Sequence, residues 1–192
     1  MTNDTSTKTT EAIRQLVIFS LDIEKYATPI DEIREVVKGA EITPVPGSPV
    51  FIAGVVNLRG KIIPILDLEK LFNLQRETAY PSASLLLIVE HTDGTLFGVR
   101  VDHVAKIVKV AEDTIQPTPG LVTARIAADY VEGVIVAEGG AATGDPLAAQ
   151  DVILLLSLQH IITKEVVNAA AKAADSSKVA AEPATATEQK ES

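Results

Sequence analysis

The run Phe51-Ile52-Ala53-Gly54-Val55-Val56-Asn57-Leu58-Arg59-Gly60-Lys61-Ile62-Ile63-Pro64-Ile65-Leu66-Asp67-Leu68 decides the fold, because most of it recurs later in the chain. Phe51 to Val56 corresponds to Tyr130-Val131-Glu132-Gly133-Val134-Ile135, and Lys61 to Phe72 aligns without a gap on Asp151 to Ile162. In both copies an apolar strand runs into the start of a helix. Asp67 and Ser157 fall at equivalent positions and are both good N-caps. Each is followed by apolar residues at helical spacing, Leu68, Leu71 and Phe72 in one copy and Leu158, Ile161 and Ile162 in the other.

Working outward, the match continues. Tyr26 to Ile33 lies over Phe97 to Val104, and Ile42-Thr43-Pro44-Val45-Pro46-Gly47 over Ile115-Gln116-Pro117-Thr118-Pro119-Gly120, where alternating prolines favour an extended connection. Each copy opens with an apolar strand, Gln15 to Leu21 and Ser84 to Val89. Asp93-Gly94 is a hairpin signal, since both residues tolerate positive φ. Pro64, inside the strongest apolar run, demotes its strand locally to an edge or bulge.

Five or so short strands per copy predict an all-β (mainly) fold: two SH3-like five-stranded antiparallel β-barrels packed together, with short helices and a C-terminal helix. The expected layout is a disordered N-terminal tail over 1–13, a first barrel over 14–83, a second over 84–166, and an Ala/Lys/Glu-rich tail over 167–192. Composition agrees. Aromatic residues are 4% of the 192 and Trp is absent, so the core must be aliphatic, and Val, Ile and Leu suit pleated surfaces.

A net charge of −9 gives phosphate backbones no counterion-release advantage, so nucleic acid is not an expected partner. The absence of Cys rules out a disulfide framework and thiolate chemistry and fits a reducing compartment. Neither a signal-peptide pattern nor an apolar run of membrane-spanning length is present, so the expected location is cytoplasmic, without membrane insertion.

Function is expected where the copies diverge. The first has Asn57-Leu58-Arg59-Gly60 between two strands, and the second has an Ala- and Gly-rich stretch from Ala137 to Gln150. Asn57 and Gly60 are turn formers, which puts Arg59 at a hairpin tip with Leu58 beside it.

The 51–68 run resembles the signature of CheW-type coupling domains, and the likeness extends over the opening Leu16 to Leu21 strand, Tyr26 to Glu35, and Phe97 to Asp102. The resemblance implies duplicated SH3-like barrels without catalytic activity. It implies a scaffold that binds the cytoplasmic hairpin tip of chemoreceptors (methyl-accepting chemotaxis proteins) in a groove between its barrels, beside membrane-bound receptor arrays. It also implies docking of the regulatory domain of the histidine kinase CheA through barrel ends. Carried over by position, the receptor groove involves Arg59, Gly54, Ile33, Glu35 and Ile107. Gly54 would allow close backbone approach, Ile33 and Ile107 apolar contact, and Arg59 forked hydrogen bonding. Plainer readings stand beside these: Ile33 and Ile107 as core, Gly54 as a turn residue matched by Gly133, Glu35 as a solvated charge.

Reactive chemistry is not in view. His91, His103 and His160 lack paired ligand spacing, so no metal or cofactor is expected. Gly139 and Gly144 have phosphate-loop spacing, but Asp145 and Pro146 stand where the cation is needed. Asp67 and Asp102 could form an acid and base pair, yet a helix cap and a strand end account for them, and no catalytic residue is assigned. Two alternatives remain: an adaptor of another chemosensory or motility pathway, and a small-ligand binder using the inter-barrel groove.

Overall fold

The computed structural model describes residues 12–81, 85–118, 126, 130–137, 151–163, 166–169 and 172. The N-terminal tail up to residue 11, the 138–150 stretch and the tail beyond 172 lie outside the described residues, as do Ser84, Pro119 and Gly120. The expected tail boundary at residue 13 moves slightly, because Ile13 already pairs with Ala111.

The strands are β1 (Ile13–Leu21), β2 (Glu24–Pro29), β3 (Ile33–Lys38), β4 (Ile52–Leu58), β5 (Lys61–Leu66), β6 (Leu85–Glu90), β7 (Leu96–Val101), β8 (His103–Ala111), β9 (Val131–Ala137) and β10 (Asp151–Leu156). Short helices α1 (Leu68–Leu71) and α2 (Leu158–Ile161) follow β5 and β10, and residues 166–169 are helical. Both N-caps form as expected: Asp67 accepts from the Lys70 N–H at 3.2 Å and Ser157 from the His160 N–H at 3.3 Å.

Two five-stranded sheets result, ordered β8-β1-β2-β10-β9 and β3-β6-β7-β5-β4. The boundary expected at residues 83 and 84 does not separate them. Each sheet joins the opening hairpin of one copy to the last three strands of the other, so the copies exchange hairpins. Within each sheet the antiparallel pairs are linked by one short parallel pair, β2 with β10 or β5 with β7. The exchange is symmetric down to its irregularities: the register shift at Ile18/Phe19 against β8 matches that at Ile33/Glu35 in β3 against β6.

Backbone bridges join the two ends of each sheet. Thr43 pairs with Val55 through two hydrogen bonds of 2.9 Å, and Gln116 with Val134 through bonds of 2.9 and 2.8 Å, which connects β4 and β9 to the segments after β3 and β8. Glycine is required at both bridges: a Cβ on Gly54 would lie 2.3 Å from the Thr43 carbonyl oxygen, and one on Gly133 2.8 Å from that of Gln116.

Alternating strand faces produce three cores. One lies between the sheets, where Phe19, Tyr26 and Leu156 meet Phe97, Val99 and Leu66. One lies inside the first barrel, now the one closed from β8-β1-β2-β10-β9, around Leu16, Ile18, Ile135, Ile153 and Leu155. Inside the second, Leu86, Ile88, Val56, Ile63 and Ile65 repeat that set position by position. Each fully buried aliphatic side chain stabilises the fold by about 1.5–3 kcal/mol, so the two barrel interiors stand on aliphatic side chains, while the few aromatics, Phe19, Tyr26 and Phe97 among them, go to the core between the sheets. Pro64 sits in a strand with neighbours on both sides, yet at Pro64 only β4 lies alongside, through Val55, because pairing with β7 begins at Ile65. The missing N–H therefore interrupts no ladder.

The Asp93-Gly94 turn forms, but Gly94 alone takes positive φ, at 83°. Asp93 instead accepts from the Thr95 N–H, which holds its carboxyl down at about 2.

Candidate protein-docking site

The β4–β5 hairpin turns on Arg59 and Gly60, with φ of 52° and 82°. Two successive positive φ values are the type I′ geometry that matches strand twist, and Gly60 supplies the easier half of it. Asn57 stabilises the turn by accepting from the Gly60 N–H at 2.9 Å. Leu58 pairs with Lys61 and packs on the second-barrel core, which anchors the hairpin from below. Arg59 is thereby held outward, its side chain 79% exposed.

Glu35 meets it. The Arg59 guanidinium donates to the Glu35 carboxylate at 3.0 Å. The register shift in β3 leaves Arg34 outside the backbone pairing with β6, and its side chain forms an ion pair with Glu90 at the end of that strand. Ile33 is half-buried against the central core, two residues before Glu35. Arg59, Glu35 and Ile33 thus belong to one sheet, on strands at opposite ends of its order, and the Arg59–Glu35 ion pair spans the seam where those ends meet.

Gly54 and Ile107 are placed differently. Gly54 is buried, with φ of 148°, and the close approach expected there is made by the chain's own Thr43. It shapes the strand beneath the hairpin and offers a partner no surface. Ile107 is 58% exposed on β8, opposite Val17 in the other sheet, so it is not core. Val36, its counterpart on β3, is 47% exposed as well.

A second polar cluster escaped the sequence reading. Asp67 is 2% exposed and accepts from Arg100 at 2.5 Å and from the Tyr80 hydroxyl at 3.2 Å. Arg76 donates to Glu69 at 2.8 and 2.9 Å and to Asp102 at 2.6 Å, while Asp102 also accepts from the Asp22 N–H at 2.6 Å. The Tyr80 ring lies 4.0 Å from the Arg76 guanidinium and 3.8 Å from that of Arg100. Asp22 completes the set by accepting from the backbone of Glu77 and Thr78.

Burial opposes the charge of Arg76, but its bonds to Asp102 and Glu69 outweigh that and raise its pKa. Burial, then the neighbouring Asp67 carboxylate, pushes the Tyr80 hydroxyl up to about 12. Asp67 and Asp102 are therefore each held by an arginine of its own, Arg100 and Arg76, and do not face one another as an acid and base pair would. The cluster ties the segment after α1 to both sheets. Its one sequence signal is the density of Arg, Glu and Tyr between residues 69 and 80.

Among the described residues no three His, Cys, Asp or Glu side chains converge as a metal site requires, and no helix is long and apolar enough to cross a membrane.

Comparison with known proteins fits this geometry. The chain is 32% identical over 123 residues to the chemotaxis protein CheW of Treponema pallidum, covering 63% of this chain and 72% of that protein. It is 31% identical over 126 residues to the chemotaxis protein CheW of Rhizobium meliloti, covering 66% and 79% respectively. The crystal structure of the scaffolding protein TtCheW from Thermoanaerobacter tengcongensis superposes with a TM-score of 0.66 at 33% identity, covering 79% of this chain and 89% of that one. The family model of the CheW-like domain matches residues 15–166. Matched across both barrels and both hairpin exchanges, the chain belongs to the CheW-like domain family.

Proposed function

We propose that this protein is a non-catalytic chemotaxis scaffold that couples the cytoplasmic tip of chemoreceptors to a CheA-type histidine kinase, with the β4–β5 hairpin as a receptor contact. The observation that carries the reading is Arg59: a type I′ turn holds its guanidinium in solvent, Glu35 orients it, and the second copy has no equivalent turn residue. A forked donor fixed on a rigid hairpin suits carbonyls and carboxylates on a helical receptor surface. Ile33 and Ile107 add apolar contact from the two sheets, and the kinase would meet the barrel ends.

The reading is tested by reconstituting receptor-controlled kinase activity with and without the protein. Receptor control that depends on the wild-type chain and is lost with Arg59→Glu supports it. Full coupling by the variant overturns the role of Arg59, and no coupling by the wild type overturns the adaptor itself.

A further inference from the structure

The chain divides into two halves, β1 to α1 and β6 to α2, and neither half is a barrel. The pairs β1 with β8, β2 with β10, β3 with β6 and β5 with β7 all run from one half to the other. Without them the first half keeps the hairpins β1–β2 and β4–β5, and the second keeps β6–β7 and β9–β10. Isolated hairpins are marginal in water. Each half therefore folds only on a complementary half, and a second copy of this chain carries the same one.

A half cannot itself be divided. β2 passes into β3 through Ile30–Glu32 and β7 into β8 across Asp102 alone, so an exchange between copies takes whole halves and turns on the link between Phe72 and Leu85. That link is fastened along residues 73–81. Asp22 holds the Glu77 and Thr78 N–H groups at 2.6 and 3.1 Å. Arg76 joins Glu69 of the first half to Asp102 of the second, and Tyr80 reaches Asp67 of the first while its ring lies against Arg100 of the second.

Chain length decides what this fastening does. Held as far as Tyr80, the link leaves only residues 81–84 to cross to another folded unit, a reach of at most about 14 Å. Released, residues 73–84 reach about 43 Å, comparable with the roughly 40 Å width of a unit of this size. We propose that residues 73–81 are a strap that keeps the two halves closed on one another, and that its release lets two copies exchange halves into a symmetric dimer. Every contact outside the strap is remade in the exchanged pair. Exchange therefore competes once the protein approaches the roughly millimolar concentration that a short flexible link provides within one chain. The dimer carries two Arg59 hairpins; its bivalence toward receptors rests on the receptor reading above, whereas the exchange does not.

The chain has no Cys, so an engineered disulfide reports which halves are paired. Gln15 and Lys109 are exposed and lie opposite one another across β1 and β8. In the full-length protein with Gln15→Cys and Lys109→Cys, the disulfide closes within one chain if the halves stay together and between two chains if they exchange. Asp22→Gly with Tyr80→Ala releases the strap, since glycine suits the φ of 53° at position 22 and Arg76 keeps its carboxylates. Refolded from urea at about 1 mM and oxidised, the released protein should give roughly tenfold more covalent dimer on a non-reducing gel than the strapped one, and at about 1 µM both should run as monomers. If the double change prevents refolding, Asp22→Gly alone is read in the same way. Ser20→Cys with Lys25→Cys, a pair within one half, should run as a monomer throughout. Covalent dimer from that pair, or none from the Gln15 and Lys109 pair in the released protein, overturns the exchange. Equal dimer with the strap intact overturns the role of the strap.

Discussion

The Arg59 guanidinium and the Glu35 carboxylate meet at 3.0 Å although the arginine side chain is 79% exposed. Exposed pairs of this kind contribute only about 0–1 kcal/mol to stability. The pair orients the arginine without bracing the fold. Arg59→Glu should therefore leave the unfolding midpoint nearly unchanged while weakening receptor binding by about 2 kcal/mol or more, roughly 30-fold. Thermal unfolding beside a receptor pull-down checks both halves.

Gly54 predicts the opposite behaviour. Gly54→Ala puts a Cβ 2.3 Å from a backbone oxygen at φ of 148°, which should cost about 3 kcal/mol. Gly133→Ala meets the Ile115 methyl at 2.5 Å and the Gln116 oxygen at 2.8 Å. Gly133 does not share the positive φ of Gly54, and its nearest backbone oxygen is farther away, so the loss there should be smaller. Urea denaturation of the two variants ranks them, and equal stability with the wild type would show that the bridge relaxes freely.

Arg76→Met should be the most destabilising arginine substitution. It strips Glu69 and Asp102 of a shared partner, with their side chains 6% and 12% exposed, and breaking buried pairs costs about 3–5 kcal/mol. Tyr80→Phe removes one hydrogen bond to Asp67, about 1 kcal/mol, while keeping the ring between two guanidiniums. Limited proteolysis after residue 73 should accelerate in the first variant and hardly in the second.

Glu32 carries a pH dependence. Burial, working against bonds from Thr28, Ser157 and the Leu158 N–H, raises its pKa above 4.5 in the folded state. A raised folded value means that its contribution is fully present below pH 4.5 and is lost as pH rises through the folded pKa. Glu32→Gln stays neutral and can keep both kinds of bond. Its melting temperature should gain on the wild type as pH climbs from 4.5 toward neutrality, and a constant difference would contradict the assignment.

Much of the fold was legible because its signals are local. Alternation in Leu85 to Val89, the N-caps at Asp67 and Ser157 and the turn at Asn57 to Gly60 each depend on neighbours in sequence. The hairpin exchange was not, because Leu16 and Ile18 face inward whichever copy supplies the partner strand; the pattern records a face, not a neighbour. The same limit hid the Arg76 cluster, whose acceptors come from α1, from the β1–β2 turn and from the end of β7. At the candidate site, Arg59 and its turn could be read from Asn-Leu-Arg-Gly, whereas the burial of Gly54 under Thr43 needed the barrel closed.

The hairpin exchange has a consequence for how such a chain could arise. A solitary copy would own a hairpin and a three-stranded unit that its connections send into different barrels. Two identical copies could complete one another only as an intertwined homodimer, and their assembly would then depend on concentration. Tethering the copies on one polypeptide makes each the other's permanent subunit. It also freed the two halves to differ, and only under that freedom could one of them keep a hairpin with an arginine at its tip.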